Sequence, residues 1–129
     1  MLREPIPVEL NRITERIIGA AMAVHCELGP GFLESIYAQA LRIELTAAEL
    51  AFEWEMPIDV LYRGARIRGQ RVDLVVEDQV VVEVKAVAAI EPIHVAQVVS
   101  YLKTTGLRIG LLINFHERLL KDGIRRVVL

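Results

Sequence analysis

Cysteine is nearly missing from this chain: Cys26 stands alone among 129 residues. One thiol cannot close an intrachain disulfide, and it cannot build a zinc knuckle. A reducing cytoplasm is the expected setting, and the helical apolar pattern around Cys26 predicts a buried, inert thiol. Long apolar runs are missing too. Near the start the longest, Ile17 to Val24, is far short of the ~20 residues that a spanning helix needs. Glu15 and Arg16 precede it and no small-residue cleavage site follows, so neither a membrane span nor a signal peptide is expected. Nor is there an excess of positive charge. A net charge of −2 and a pI near 5.9 exclude a protein that coats nucleic acid by bulk charge. No internal repeat and no low-complexity segment breaks the chain.

What is present is apolar. Hydrophobic residues make up 53% and the mean hydropathy is +0.39, enough for one core in one domain spanning residues 1–129. The surplus fits a sheet buried on both faces, or an apolar surface that pairs two copies as a homodimer. Charge of the basic sign is concentrated. Arg63, Arg66, Arg68 and Arg71 lie within nine residues. They read equally as a solvated hairpin or as an edge that contacts phosphate.

Periodicity orders the elements. Residues 1–8, with Pro5 and Pro7, read as an irregular lead-in, and Asn11 as the N-cap of a first helix. Ile13, Ile17, Ala20, Ala21, Val24 and Leu28 keep a helical period up to Gly29-Pro30-Gly31, where the chain must turn. A second helix is expected over Leu33 to Leu50, with Leu33, Ile36, Tyr37, Ala40, Leu41 and Ala48 as its apolar arc. Met56–Arg63, Gln70–Val76 and Val80–Lys85 read as strands, with Gly64 and Gly69 in a turn region. Pro92 to Thr105 is helical again and stops at Gly106. Arg108–Phe115 reads as a buried strand and Ile124–Leu129 as an edge strand. The helix between the third and fourth strands is a crossover, so those strands should run parallel. The expected fold class is α/β: a mixed central sheet flanked by helices.

The chemistry gathers around Asp78. A three-residue turn there sets Val76 against Val80, Val75 against Val81, Leu74 against Val82 and Asp73 against Glu83. Residues directly opposite share a face at roughly 5 Å between Cα atoms. Lys85, two residues on from Glu83, shares it too. Val72, Leu74, Val76, Val80, Val82 and Val84 would form a wholly apolar opposite face. Two carboxylates held that close repel if both ionise, and a divalent cation such as Mg²⁺ would offset this. Asp73 and Glu83 are therefore candidate metal ligands, with Lys85 placed to orient water or stabilise charge. The competing reading is a solvent-facing hairpin in which Glu83 and Lys85 make an exposed ion pair.

Glu34 lies at the edge of the second helix's apolar arc. It is either an acid aimed at the same centre or a first-turn acid favoured by the helix dipole. His94, Gln97 and Tyr101 form one polar stripe on the third helix, fit for a phosphate contact or for solvent. His25 and His116 have no partners at ligand spacing and read as structural.

Taken together, these residues resemble a known family. Gly31-Phe32-Leu33-Glu34-Ser35-Ile36-Tyr37 resembles the signature of the GxxExxY proteins, members of the PD-(D/E)XK nuclease-like superfamily. The resemblance extends through Val24-His25, Leu28-Gly29-Pro30-Gly31, Arg71-Val72-Asp73-Leu74, Val82-Glu83-Val84-Lys85-Ala86, Gln97 with Tyr101-Leu102, and Gly110-Leu111-Leu112-Ile113-Asn114-Phe115. It covers about residues 11 to 129. It implies a restriction-endonuclease-like core and Mg²⁺-dependent (or Mn²⁺-dependent) hydrolysis of nucleic acid by Asp73, Glu83 and Lys85. Glu34 would be an auxiliary acid, and Gln97, Tyr101 and Arg71 would contact the substrate. The proline that names the superfamily motif is absent, since Val72 precedes Asp73. The alternative is a catalytically silent binding module, or a subunit of a larger assembly.

Overall fold

The computed structural model describes residues 4–129; of the expected irregular lead-in, residues 1–3 lie outside them. The order is α1 (Val8–Leu28), α2 (Glu34–Ala47), β1 (Phe52–Tyr62), β2 (Ala65–Val76), β3 (Val80–Lys85), α3 (Pro92–Thr105), β4 (Ile109–Asn114), a short 3-10 turn (Leu120–Gly123) and β5 (Ile124–Val128). The sheet runs β1-β2-β3-β4-β5. Only the β3–β4 pair is parallel, as the α3 crossover requires. The architecture is a mixed five-stranded sheet with helices on both faces.

Helix α1 begins at Val8, not near Asn11. Pro7 caps it, and its carbonyl accepts from the N–H groups of Leu10 and Asn11 at 3.1 and 3.2 Å. Proline suits that place because its missing donor would be unsatisfied there anyway. The early start brings buried Leu10 onto the apolar face. Cys26 is exposed rather than buried. It follows buried Val24 by two residues, about 200° around the helix, and so faces away. Leu33 caps α2 in extended backbone and is 74% exposed, so the buried arc of α2 narrows to Tyr37, Leu41 and Leu45.

The first hairpin is longer than periodicity suggests. β1 begins at Phe52, and β2 begins directly after a two-residue turn at Arg63-Gly64. Both turn residues have positive φ, 51° and 80°, the backbone a tight hairpin turn demands. Gly69 is not in the turn. It sits within β2 at φ 116°, where Arg68 and Gly69 together oppose Asp59 in a bulge.

The expectation of one uninterrupted apolar face is corrected at Val72. Leu74, Val76, Val80, Val82 and Val84 pack beneath α1 and α2, but Val72 joins Val75, Val81, Val98 and Tyr101 in the core beneath α3. The alternation of β2 therefore breaks at Asp73. Opposite it on β1, between the pairs Trp54–Leu74 and Met56–Val72, Glu55 takes a left-handed φ of 49°. Both strands change face at that step. Helix α3 seats closely on β4 because Gly110 has no side chain; a methyl there would overlap Val98.

Candidate functional site

The register around Asp78 is the one the valines imply: Leu74 pairs with Val82, Val75 with Val81 and Val76 with Val80. There the β2–β3 ladder stops, while β3 continues beside β4 as far as Lys85 and Asn114. The strands part at Asp73, and its side chain closes the gap. Val84 N–H donates to Asp73 Oδ2 at 2.8 Å, a side-chain bond where a backbone bond would otherwise be.

This places the Asp73 carboxyl beside that of Glu83. Glu83 is buried at 4% exposure, and its Oε1 has no hydrogen-bond partner. Its carboxyl is held up at about 8, chiefly by burial. The neighbouring Asp73 adds to this rise, while Lys85 and the Tyr101 hydroxyl pull the other way. Lys85 is half-buried and forms no ion pair within 4.0 Å among the described residues. The exposed Glu83–Lys85 ion pair of the structural alternative is therefore not what the fold builds. Tyr101 is a buried residue of α3, and burial first, then the Glu83 charge, pushes its hydroxyl up to about 12.

Glu34 opens α2 on the other side of the sheet. It is an exposed residue, yet partial burial of its carboxyl raises its pKa, the Asp73 charge adds to this, and Lys85 opposes it. Its position is set by Tyr37. The Tyr37 hydroxyl donates to Gly29 O at 2.5 Å and accepts from Phe32 N–H at 3.1 Å, tying down the turn that starts α2. The Tyr37 ring is fully buried and stacks on Phe115, with centroids 4.7 Å apart and planes at 9°. A buried aromatic three residues after Glu34 was visible in the sequence as core; its role as a latch was not.

Asn114 is a second contributor that periodicity missed. It is completely buried at the end of β4, paired with Lys85. Its amide donates to Val87 O at 2.9 Å and accepts from Val87 N–H at 3.0 Å and His116 N–H at 3.2 Å. With Phe115 N–H donating to Lys85 O at 2.9 Å, it fixes the backbone just beyond the lysine. The signal was one polar residue closing an otherwise apolar strand.

The polar stripe of α3 divides. Tyr101 reaches Glu83, and Gln97, one turn earlier, holds a buried Oε1 without a partner. His94 instead caps the helix, accepting from Glu91 N–H at 2.9 Å through Nδ1. His25 bonds Glu117 O at 2.7 Å and is structural. Arg71 is exposed on β2, two residues from Asp73, and none of the shifts at Glu34, Glu83 or Tyr101 traces to it.

Among the described residues no three His, Cys, Asp or Glu side chains could together hold a metal ion, and no helix is long and apolar enough to cross a membrane. Two adjacent carboxylates, one with an unpaired buried oxygen, do fit an ion that takes one or two protein carboxylates and completes its shell with water or phosphate oxygens. They do not fit a four-ligand structural zinc. No curated protein and no solved structure matches the chain. A family model described as the PD-(D/E)XK nuclease superfamily, whose members usually use divalent metals, matches residues 11–127. The match covers nearly the whole sequence, and the chain belongs to that superfamily.

Proposed function

We propose that this chain, acting as one domain over residues 1–129, is a divalent-ion-dependent nuclease that hydrolyses phosphodiester bonds of nucleic acid. The observation that carries the reading is Glu83: a buried acid with one unpaired oxygen, beside Asp73 and near an amine that forms no ion pair. A structural core has no use for that arrangement, since a buried unpaired acid costs stability. Asp73 and Glu83 would hold the ion, Mg²⁺ or Mn²⁺. When bound it supplies Lewis acidity, stabilising charge on a phosphoryl oxygen and making water more acidic.

The remaining work belongs to side chains of the protein. Glu83 gives up its proton as the ion binds, so loading is coupled to proton release. Lys85, anchored through its backbone by Phe115 and Asn114, orients the attacking water or stabilises charge on the phosphate. Glu34, near Asp73 and Lys85, acts as an auxiliary acid that holds water. Tyr101 steadies Glu83, Gln97 offers a polar contact to substrate, and Arg71 meets a phosphate at the rim. An exposed lone thiol at Cys26 suits a reducing cytoplasm.

The test is cleavage of labelled DNA and RNA with Mg²⁺, with Mn²⁺ and with chelator. Activity should need the ion. Lys85→Ala should lower the rate by ~10²-fold or more, and Asp73→Ala should lower it further. No cleavage of any substrate, with no Mg²⁺-induced rise in melting temperature, would favour a silent binding module.

A further inference from the structure

We infer that the β1–β2 hairpin beyond Ile58 and Gln70 is an arm that enters the major groove of B-form DNA. This rests on the nuclease reading and names the substrate form. β3 pairs with β2 only at Leu74 to Val76, so from Val72 outward β2 has β1 as its sole partner in the sheet. The ribbon rests on α3 through Met56 and Ile58, and every residue from Leu61 to Gly69 is exposed. It overhangs a depression of about 540 Å³ whose lining includes Gln70, Ser100, Lys103 and Thr104.

The charge of the arm is unlike that of the chain. Asp59 to Gly69 holds three arginines and one acid, +2, while the whole chain carries −2, which leaves −4 elsewhere. Among the described residues only Arg66 of these arginines forms an ion pair, with Asp59 at 3.5 Å, and at 64% exposure that contact is weak and displaceable. A two-stranded ribbon fits the major groove of B-DNA, whereas the deep, narrow major groove of A-form RNA does not admit it. From Asp73 to the turn at Gly64, β2 spans roughly 25–30 Å at strand rise, or about eight base pairs at ~3.4 Å each. The arm therefore contacts DNA to one side of the carboxylates, and its arginines reach the phosphates that wall the groove. The bulge at Arg68-Gly69 adds twist to the ribbon.

The experiment is fluorescence anisotropy of a labelled DNA duplex, an RNA duplex and single-stranded DNA in chelator, where nothing is cut. It compares wild type, an R63A/R66A/R68A triple variant and the corresponding triple Lys variant. Wild type should prefer the DNA duplex. The Ala variant should lose about 2.7 from the salt slope. A fourfold rise in salt should then weaken wild type about 40-fold more than the variant. The Lys variant should keep most of the affinity, and it supplies the answer if the Ala variant does not fold. Equal duplex binding by wild type and Ala variant overturns the proposal. So do equal losses on all three nucleic acids, which would mean bulk charge. Sedimentation showing a wild-type dimer and a monomeric Ala variant with unchanged DNA binding overturns it in favour of a second copy on Leu61, Tyr62 and Ile67. Because binding is read without the ion, a protein that fails to cut but grips DNA through the arm separates this proposal from the nuclease reading.

Discussion

Glu83 makes ion-free stability a function of pH, and the sign follows from its environment. In the unfolded chain its carboxyl titrates near the ordinary 4.5; in the fold, burial and Asp73 hold it up to about 8. Between those values the folded protein binds more protons than the unfolded one, so stability falls as pH rises. The contribution is fully present below pH 4.5 and is lost as pH passes 8. At full slope each unit costs about 1.4 kcal/mol, so pH 5 to 7 costs about 3 kcal/mol, or roughly 10 °C in Tm for a domain of this size. Glu83→Gln keeps the shape and removes the titration. The assay is urea unfolding of both proteins in chelator from pH 5 to 8. Their stabilities should be similar at pH 5 and diverge, with Gln the steadier, toward pH 8. Adding Mg²⁺ at pH 8 should restore wild type by RT ln(1 + [L]/Kd), about 2.7 kcal/mol at a hundredfold excess over Kd, and leave Glu83→Gln nearly unmoved. Parallel pH curves for the two proteins would refute the account of Glu83 as an acid buried in readiness for a cation.

Asp73→Ala removes a repulsive neighbour but also the acceptor of Val84 N–H, so it should destabilise the ion-free protein by about 1 kcal/mol in a urea titration, while Asp73→Asn holds that bond and costs less. Tyr37→Phe should keep the stack on Phe115 and lose the latch on Gly29 and Phe32, costing about 1–2 kcal/mol by thermal melting. Gly110→Ala drives a methyl into Val98 and should cost about 1–3 kcal/mol, read as a lowered urea midpoint at unchanged slope.

Valine alternation about Asp78 was enough to align β2 with β3, and the apolar run Arg108–Phe115 was enough to seat β4 in the core, because period-2 patterning against two apolar layers permits no other register. Helix α3 was legible to the residue, since Pro92 and Gly106 are chemical boundaries. The change of face at Val72 was not legible. It depends on a left-handed Glu55 on the neighbouring strand, a backbone state that no side-chain pattern marks. The N-terminus of α1 was missed because Asn11 is a good cap by type, yet its side chain is used by Arg126 instead. Among the candidate site residues, Asp73, Glu83 and Lys85 were visible as polar interruptions of apolar strands. Tyr37 and Asn114 were not visible as contributors, because each reads as core until its hydrogen bonds are traced.

Four departures from local rule cluster in one place. Glu55 leaves extended backbone opposite Asp73; the β2–β3 ladder ends there; a carboxylate takes over a backbone bond; and one strand position farther an acid is buried with an oxygen unpaired. Each costs stability, and none helps close the core, since valine at position 83 would pack with Val81 and Leu112 without a buried charge. Had the hairpin been under selection for stability alone, alternation would have continued through Val72, and the strands would have zipped on to Lys85. The break instead parts β2 from β3 and turns Asp73 toward Glu83 from one strand, while α2 brings Glu34 and α3 brings Tyr101 from opposite layers. Such an arrangement is stable only with something that rewards paired carboxylates. A divalent cation would do so; without one, a proton held on Glu83 takes its place.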